Sequence, residues 1–368
     1  MQQFNTIIIA AISSRAYVQA AANAGFEVIA IDAFADCDTQ LAAKQVLQAP
    51  IEHGQFVATN FLAILHNIGL SDCVGLCYGA GFEAQPDLLR NISQILPIIG
   101  NSHQIVEQCK SPQFFFNLCD TLKMPYPATQ YERPNSSLHW LQKRIGGSGG
   151  AHIKAVLPID LAKKTQHYYQ KIQAGTPVSC LFLASSSLPN QTHAQIIGFN
   201  EQWCCSTNLL PYRYGGAVSH ADLSESIKMK IENFVQNLVK KIGLKGLNSA
   251  DFIVQGDTIF ALEINPRLSA SLDLYRAKKG DLFAAHVAAC LGNLTHWPLI
   301  DKQSRAHQVI YANKPAHVPA DMDWPDWVCD IPQPNSEIPA GAPLCTVVAC
   351  ARSAKLAKQK VLQRAAEL

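Results

Sequence analysis

No stretch of this chain stays apolar for the roughly 18 residues that a membrane-crossing helix requires. An excess of one charge is also missing. The 30 basic and 28 acidic residues leave a formal net charge of +2. That balance supplies neither the basic field that gathers nucleic acid nor an acidic tail, so no nucleic-acid or membrane partner is expected. Cysteine is present, with 12 in 368 residues, but metal-binding spacing is not. The tightest groupings, Cys73–Cys77 and Cys204–Cys205, match no zinc interval, and the set reads as reduced, mostly buried side chains of a cytosolic protein. The 12 histidines lack ligand spacing as well. The start, "MQQFNTIIIAA", has no basic residue ahead of its short apolar run, so no secretory signal is read there and a cytoplasmic location is expected. No internal repeat or low-complexity tract is found.

What is there is core material: 48% of residues are apolar and 16% charged, which excludes a disordered chain. "NTIIIAA" reads as a buried parallel strand and "SSRAYVQAAANAG" as a helix capped by Ser13 or Ser14 and stopped at Gly25. "FEVIAID", "CVGLCYG" and "LPIIG" are further strands, with helical stretches around 60–69 and 86–95. The alternation predicts a parallel, doubly wound sheet over residues 1–102. Its first turn, "AAISSRA", lacks the glycines of a dinucleotide site, although Asp32 ends the second strand where a ribose-binding acid would sit. The loop "YGAGFE", Tyr78 to Glu83, faces a substrate or is a tight turn.

From 103 the pattern changes. "SHQIVEQCKSPQFFFNLCDTLKM" is helical up to the break at Pro125 and Pro127, and antiparallel strands follow. A long helix ends at Gly243, and "LKGLNSADFIVQGDTIFALEINPR" is a β-hairpin. This second unit is α+β and runs over 103–300. Residues 301–368 form a small C-terminal unit of short strands and a last helix, with Trp324 and Trp327 packing within it.

The hairpin carries the chemistry. Asp251 and Glu263 lie on facing strands, followed by Asn265 and Arg267. An odd-length loop puts Asp251, Glu263 and Asn265 on one face, whereas a two-residue turn at Gly256–Asp257 puts the two acids on opposite faces. Phe260, Leu262 and Ile264 are expected to pack inward. Two acids and an amide on one face make a hard oxygen cage suited to Mg²⁺, a role Mn²⁺ can also fill. Arg267 at its rim suits a phosphate or acyl-phosphate oxygen. The bland reading is a solvated strand face. "KRIGGSGGAHI" is the second element: Gly146, Gly147, Ser148, Gly149 and Gly150 between two strands can wrap backbone N–H groups around phosphate oxygens, with Lys143 just ahead. It is not a P-loop, because no lysine follows the last glycine. "YRYGGAVSH", with Arg213 and His220, and the stretch after Arg267, with Ser269 and Ser271, are candidate acceptor contacts or exposed turns.

These motifs resemble the ATP-grasp superfamily of carboxylate–amine or carboxylate–thiol ligases, in a branch of carboligases related to biotin carboxylase. The spacing in "ADFIVQGDTIFALEINPR" is similar to that family's metal hairpin, and "QKRIGGSGG" to its lysine and glycine-rich lid. Lys110 matches the family's earlier ATP-contacting lysine, and Gln170, Lys171 and Ile172 the strand that meets adenine. Many members have Glu at the position of Gln170. The resemblance implies an ATP-grasp fold with a Rossmann-like N-terminal domain, a two-lobed ATP-grasp domain over 103–300 with a lid around 140–195, and a small C-terminal subdomain. It implies ATP and Mg²⁺ bound by these residues, with Glu263, Lys143 and Arg267 serving the chemistry. The expected activity is an ADP-forming ligase joining a small-molecule carboxylate to an amine through an acyl phosphate. Dimers are common among such proteins, and the branch is associated with one-carbon cofactor pathways. A bicarbonate-activating carboligase and an ATP-binding protein without turnover are the alternatives.

Overall fold

Ile7, Ile8 and Ile9 are β-branched and fully buried, and the strand Thr6–Ala11 that carries them has both faces covered. The structure is a computed structural model that describes residues 5–70, 72–136, 138–156, 166–185, 193–275, 280–299 and 301–368. Thr6–Ala11 pairs in parallel with Glu27–Asp32 on one side and Cys73–Tyr78 on the other, and Gln45–Gln48 completes a four-stranded sheet. Helix Arg15–Asn23 packs on one face, and helices Ala58–His66 and Pro86–Ser93 on the other. The strand expected in "LPIIG" reduces to one bridge, Leu76 to Ile98. Pro97 has no N–H to donate and offers only its carbonyl, to Leu76 N. Ser14 stands at the N-cap of the first helix but makes no side-chain cap. Its N–H and hydroxyl instead donate to Asp32, each at 2.6 Å, and the other Asp32 oxygen accepts from the N–H groups of Phe34 and Ala35. Asp32 is thus a loop-ordering residue, fully occupied by its own domain.

The helical stretch after 103 is two helices, His103–Lys110 and Pro112–Thr121. Pro112 removes an intrahelical donor and starts a new helix, whose N-cap Ser111 accepts from Phe114 N–H. The break leaves Lys110 at the end of its helix. A second sheet has the order Thr129–Gln130, His167–Lys171, Trp140–Arg144, Ile153–Ala155. The third has eight strands, of which the hairpin Gly246–Gln255 and Thr258–Asn265 forms one edge. Ser304–Tyr311, Pro343–Ala351 and Val328–Cys329 extend the other edge, so the last part of the chain continues the large sheet. Helix Glu225–Ile242 buries Ile227, Ile231, Phe234, Val235, Leu238 and Val239 against that sheet and ends at Gly243 with φ 77°. Parts of the lid expected over 140–195, and the segment 276–279 after Tyr275, lie outside the described residues.

Asn101 joins the first domain to the large sheet. Its amide nitrogen donates to Asn248 Oδ1, Pro266 O and Lys245 O, and its Oδ1 accepts from Lys245 N–H. All 12 cysteines are free. Among the described residues, no helix is long and apolar enough to cross a membrane.

Candidate active site

The hairpin resolves its own ambiguity with a bulge. The turn is the two-residue one, since Gln255 pairs with Thr258. Continued regularly, that register would set Leu262 opposite Asp251 and send Glu263 to the other face. The register shifts instead: Phe252 faces Ala261, but Asp251 faces Glu263, and Leu262 is the extra residue of a β-bulge. Asp251, Glu263 and Asn265 therefore share one face. The inward set changes with it. Ile259, Ala261 and Ile264 enter the core, whereas Phe260 and Leu262, expected there, are only half-buried.

The three side chains converge. Asn265 Nδ2 donates to Asp251 Oδ2 at 3.0 Å. Lys110 Nζ donates to Asn265 Oδ1 at 2.7 Å and to Glu263 Oε2 at 3.3 Å, so an ammonium bridges the oxygens that a metal would take. Burial pushes Asp251 up to about 7, helped by the facing Glu263 carboxylate. Burial opposes charge on Glu263 too, but Lys110 and Lys143 hold that group low. An oxygen-rich set whose Asp251 is pushed upward by burial first and by Glu263 second fits a hard divalent cation. Among the described residues no group of three or more His, Cys, Asp or Glu is arranged as a metal cage. A two-carboxylate site suits Mg²⁺, which completes its shell with phosphate and water.

Arg267 is partly buried, with 10% side-chain exposure, and its Nε donates to Glu83 Oε1 at 2.7 Å. Glu83 accepts in turn from the N–H groups of Gly81 and Phe82. The loop "YGAGFE" is thus a clamp for the arginine rather than a bare turn. Tyr78 hydroxyl donates to Pro266 O, between Asn265 and Arg267, and fixes both.

The glycine-rich loop lies across the same place. Gly146, Gly149 and Gly150 have φ of 72°, 66° and 75°. A Cβ on Gly150 would stand 1.8 Å from Tyr212 O, and one on Gly146 would stand 2.6 Å from Ala84 Cα, so glycine is needed for the close approach as well as the φ. Tyr214 N–H donates to Gly149 O and ties the loop to the large sheet. His152 packs on bare Gly147, and burial, with Lys143 and Lys110 nearby, depresses it to about 4.

A cavity of about 390 Å³ opens beside the hairpin and is lined by Asp251, Glu263, Asn265, Arg267, Ser148 and Gly149. Ser269 and Ser271 also line it, as does Tyr214 of the "YRYGGAVSH" segment. Arg213 turns away: it stacks on Tyr311 with its guanidinium carbon 3.7 Å from the ring centroid and donates to Cys205 O and Gly341 O. His220 does not line the cavity. The far wall, unforeseen from sequence, joins Arg15, Asp273, His307 and Asp330 from four distant segments. Lys110, Gly146, Gly147, Leu262 and Glu263 line a neighbouring narrow cleft. Lys143 lies at the same site: its ammonium donates to Gln170 Oε1 at 3.2 Å and is held above its usual range, because Tyr168, Glu263 and Asp251 outweigh burial. Gln170 is buried, while Lys171 and Ile172 stand at the strand end and use their N–H groups on Ala128 O and His139 O.

Residues 113–271 match the family model described as the ATP-grasp domain. A curated relative, an uncharacterized protein of Methanocaldococcus jannaschii, is 21% identical over 93% of this chain and 87% of its own length. Among solved structures, the biotin carboxylase domain of Hydrogenobacter thermophilus 2-oxoglutarate carboxylase aligns with TM-score 0.74 and 10% identity over 100% of this chain and 90% of its own. The L-amino acid ligase of Bacillus licheniformis aligns with TM-score 0.68 and 12% identity over 99% and 97%. At these identities the structural likeness shows the fold.

Proposed function

We propose that this chain, whose residues 113–271 form an ATP-grasp domain, is an ADP-forming ligase that activates a small carboxylate as an acyl phosphate and passes it to an amine. One observation carries the reading: the bulge that gathers Asp251, Glu263 and Asn265 on one face, beside Arg267 and under the glycine-rich loop. The fold is shared with a carboxylase domain crystallised with magnesium ADP and bicarbonate, and with an amino acid ligase.

Asp251, Glu263 and Asn265 would hold Mg²⁺, which when bound neutralises charge on the β- and γ-phosphate oxygens. In the first step a carboxylate oxygen attacks the γ-phosphorus and ADP leaves. Little covalent help is needed; position and charge are. Lys143 faces the α- and β-phosphates. Lys110 gives up its bridge across Glu263 and Asn265 and turns to the nucleotide. Arg267, locked on Glu83, holds the transferring group with its remaining N–H donors. In the second step the amine nitrogen attacks the acyl carbon, phosphate leaves and the nitrogen loses a proton. The loop at 146–150 excludes water, which would hydrolyse the acyl phosphate.

The test is ADP release from MgATP across a panel of carboxylates, amino acids and amines, with wild type and Glu263→Ala side by side. Turnover should appear for particular pairs and vanish in the variant while its circular dichroism stays native. Full activity in Glu263→Ala would falsify the assignment.

A further inference from the structure

The far wall of the cavity takes no part in the two steps above, yet it is built from buried charge. Arg15, at the start of the first helix, is 4% exposed. Its Nη2 donates to Asp273 Oδ2 at 2.8 Å and its Nε to Asp330 Oδ1 at 3.1 Å, and Asp38 Oδ2 lies 3.7 Å from Nε. Asp38 also accepts from the N–H groups of Asp330 and Ile331, and Ser13 Oγ donates to Asp330 Oδ1 at 3.3 Å. Three carboxylates from distant parts of the chain thus meet one guanidinium.

The sum is an excess of negative charge. Among the described residues two arginines line the cavity, and Glu83 already claims Arg267. His307 adds no charge near neutral pH: burial depresses it against the pull of Asp273, and its Nε2 lies 2.6 Å from the Tyr214 hydroxyl. A cleft lined by one sign of charge, with low-dielectric walls, gathers ligands of the other sign. An independent observation also calls for an occupant. Thr346 pairs across the sheet with Cys329, the residue before Asp330. It lines the cavity, is 7% exposed, and among the described residues its hydroxyl has no hydrogen-bond partner. A buried hydroxyl without a partner is costly, and an occupant of the cavity supplies one.

We propose that the far wall is a subsite for a protonated amine: the second substrate carries a basic group that stays charged and docks against Asp273, Asp330 and Thr346, while its other nitrogen, uncharged, attacks the acyl phosphate. The acceptor class is then a diamine or a comparably basic amine, not an α-amino acid. The attack rests on the ligase reading; the subsite is a matter of binding alone. An ammonium only donates, and carboxylate and hydroxyl oxygens accept. The carboxylate of an amino acid fits poorly. Arg15 Nη1, which Gln19 Oε1 meets at 3.5 Å, is the donor it would seek, and Asp273 and Asp330 would repel it there.

The experiment is isothermal titration of the full chain at pH 7 with 1-butylamine, 1-butanol and butyrate, which share a size and differ in charge. Wild type should bind the amine about tenfold or more tighter than the other two, since a unit positive charge meets the buried acids. Asp330→Asn and Asp273→Asn should each weaken the amine about tenfold and leave butanol within about twofold. An amine bound no better than butanol, or unchanged in either variant, overturns the subsite. If neither aspartate variant folds, Thr346→Val serves instead: it keeps the ion pairs and should weaken the amine about fivefold while sparing butanol, and no change overturns the subsite. A second arm offers diamines and α-amino acids as acceptors in the ADP-release assay, where diamines should be preferred. ADP release with amino acids and none with diamines overturns the acceptor class and keeps the ligase reading. No ADP release with any pair, while the amine binds and Asp330→Asn loses it, removes the ligase reading and keeps the subsite.

Discussion

Asn101→Asp is the sharpest test of how the first domain is joined to the hairpin that carries Asp251 and Glu263. The substitution changes one NH₂ group to an oxygen at a position with 1% exposure. That nitrogen faces three acceptors: Asn248 Oδ1 at 2.7 Å, Pro266 O at 3.0 Å and Lys245 O at 3.3 Å. An aspartate oxygen among three acceptors has one escape, which is to take up a proton and donate to one of them. At pH 7, protonating a carboxyl whose unfolded pKa is about 3.9 costs about 4 kcal/mol. Loss of the second donor adds about 1 kcal/mol. The expected destabilisation is therefore about 4–5 kcal/mol at pH 7. The sign of its pH dependence follows from linkage. The folded-state pKa of the new carboxyl is raised, so the folded state binds the extra proton and stability returns as pH falls toward the unfolded pKa. At pH 5 the deficit should shrink to about 2–3 kcal/mol. Urea unfolding of variant and wild type at pH 5, 6, 7 and 8 reads both numbers. A deficit below about 1 kcal/mol at pH 7, or one that does not change with pH, would refute the reasoning.

Two further outcomes follow from buried groups. His286 accepts from Leu247 N–H at Nδ1, pairs with Ile99 O through Nε2, and is depressed by burial from 6.5 to about 4. The unfolded chain protonates first, so His286 by itself should remove about 3 kcal/mol as pH drops from 6.5 to 4, and His286→Gln should make the slope in urea titrations shallower by that share, leaving the part due to His152. An unchanged slope would count against the assignment. Glu83→Gln leaves the partly buried Arg267 guanidinium without its counter-charge. It should cost about 2–4 kcal/mol and lower MgATP turnover at least about tenfold, measured by urea unfolding and ADP release. Wild-type turnover in that variant would remove Glu83 as the clamp.

The local patterns were legible where the physics is local. A continuous β-branched run gives Thr6–Ala11 both of its buried faces, and apolar spacing with Gly243 gives Glu225–Ile242 its length and its end. The glycine-rich turn was also plain, because positive φ leaves few other residues available. Pro112 does not announce a helix boundary in the sequence, because proline is equally at home in the first turn of a helix, and Ser111 capping Phe114 N–H marks the division. Asp32 stood where a ribose-binding acid belongs, yet four short-range donors occupy it. Composition cannot separate a carboxylate that orders its own loop from one offered to a ligand.

The site itself was half legible, and the missing half has one cause. Asp251, Glu263 and Asn265 are close in sequence, but whether they meet depends on a bulge that no residue announces. Leu262 is an ordinary strand residue, and a two-residue turn, taken alone, argues for the wrong face. The bulge is favoured by what surrounds it. The regular ladder would turn Glu263 toward the face of Ile259 and Ala261, packed against helix Glu225–Ile242, and would lift Ile264 out of that core. Burying an unpaired carboxylate there costs several kcal/mol, more than the ladder contact given up at one extra residue. The apolar core thus selects the register, and the register brings Asp251, Glu263 and Asn265 to one face. The opposite wall follows the same rule at longer range. Arg15 finds Asp273 and Asp330, 258 and 315 residues away, only because three segments far apart in sequence meet around one cavity.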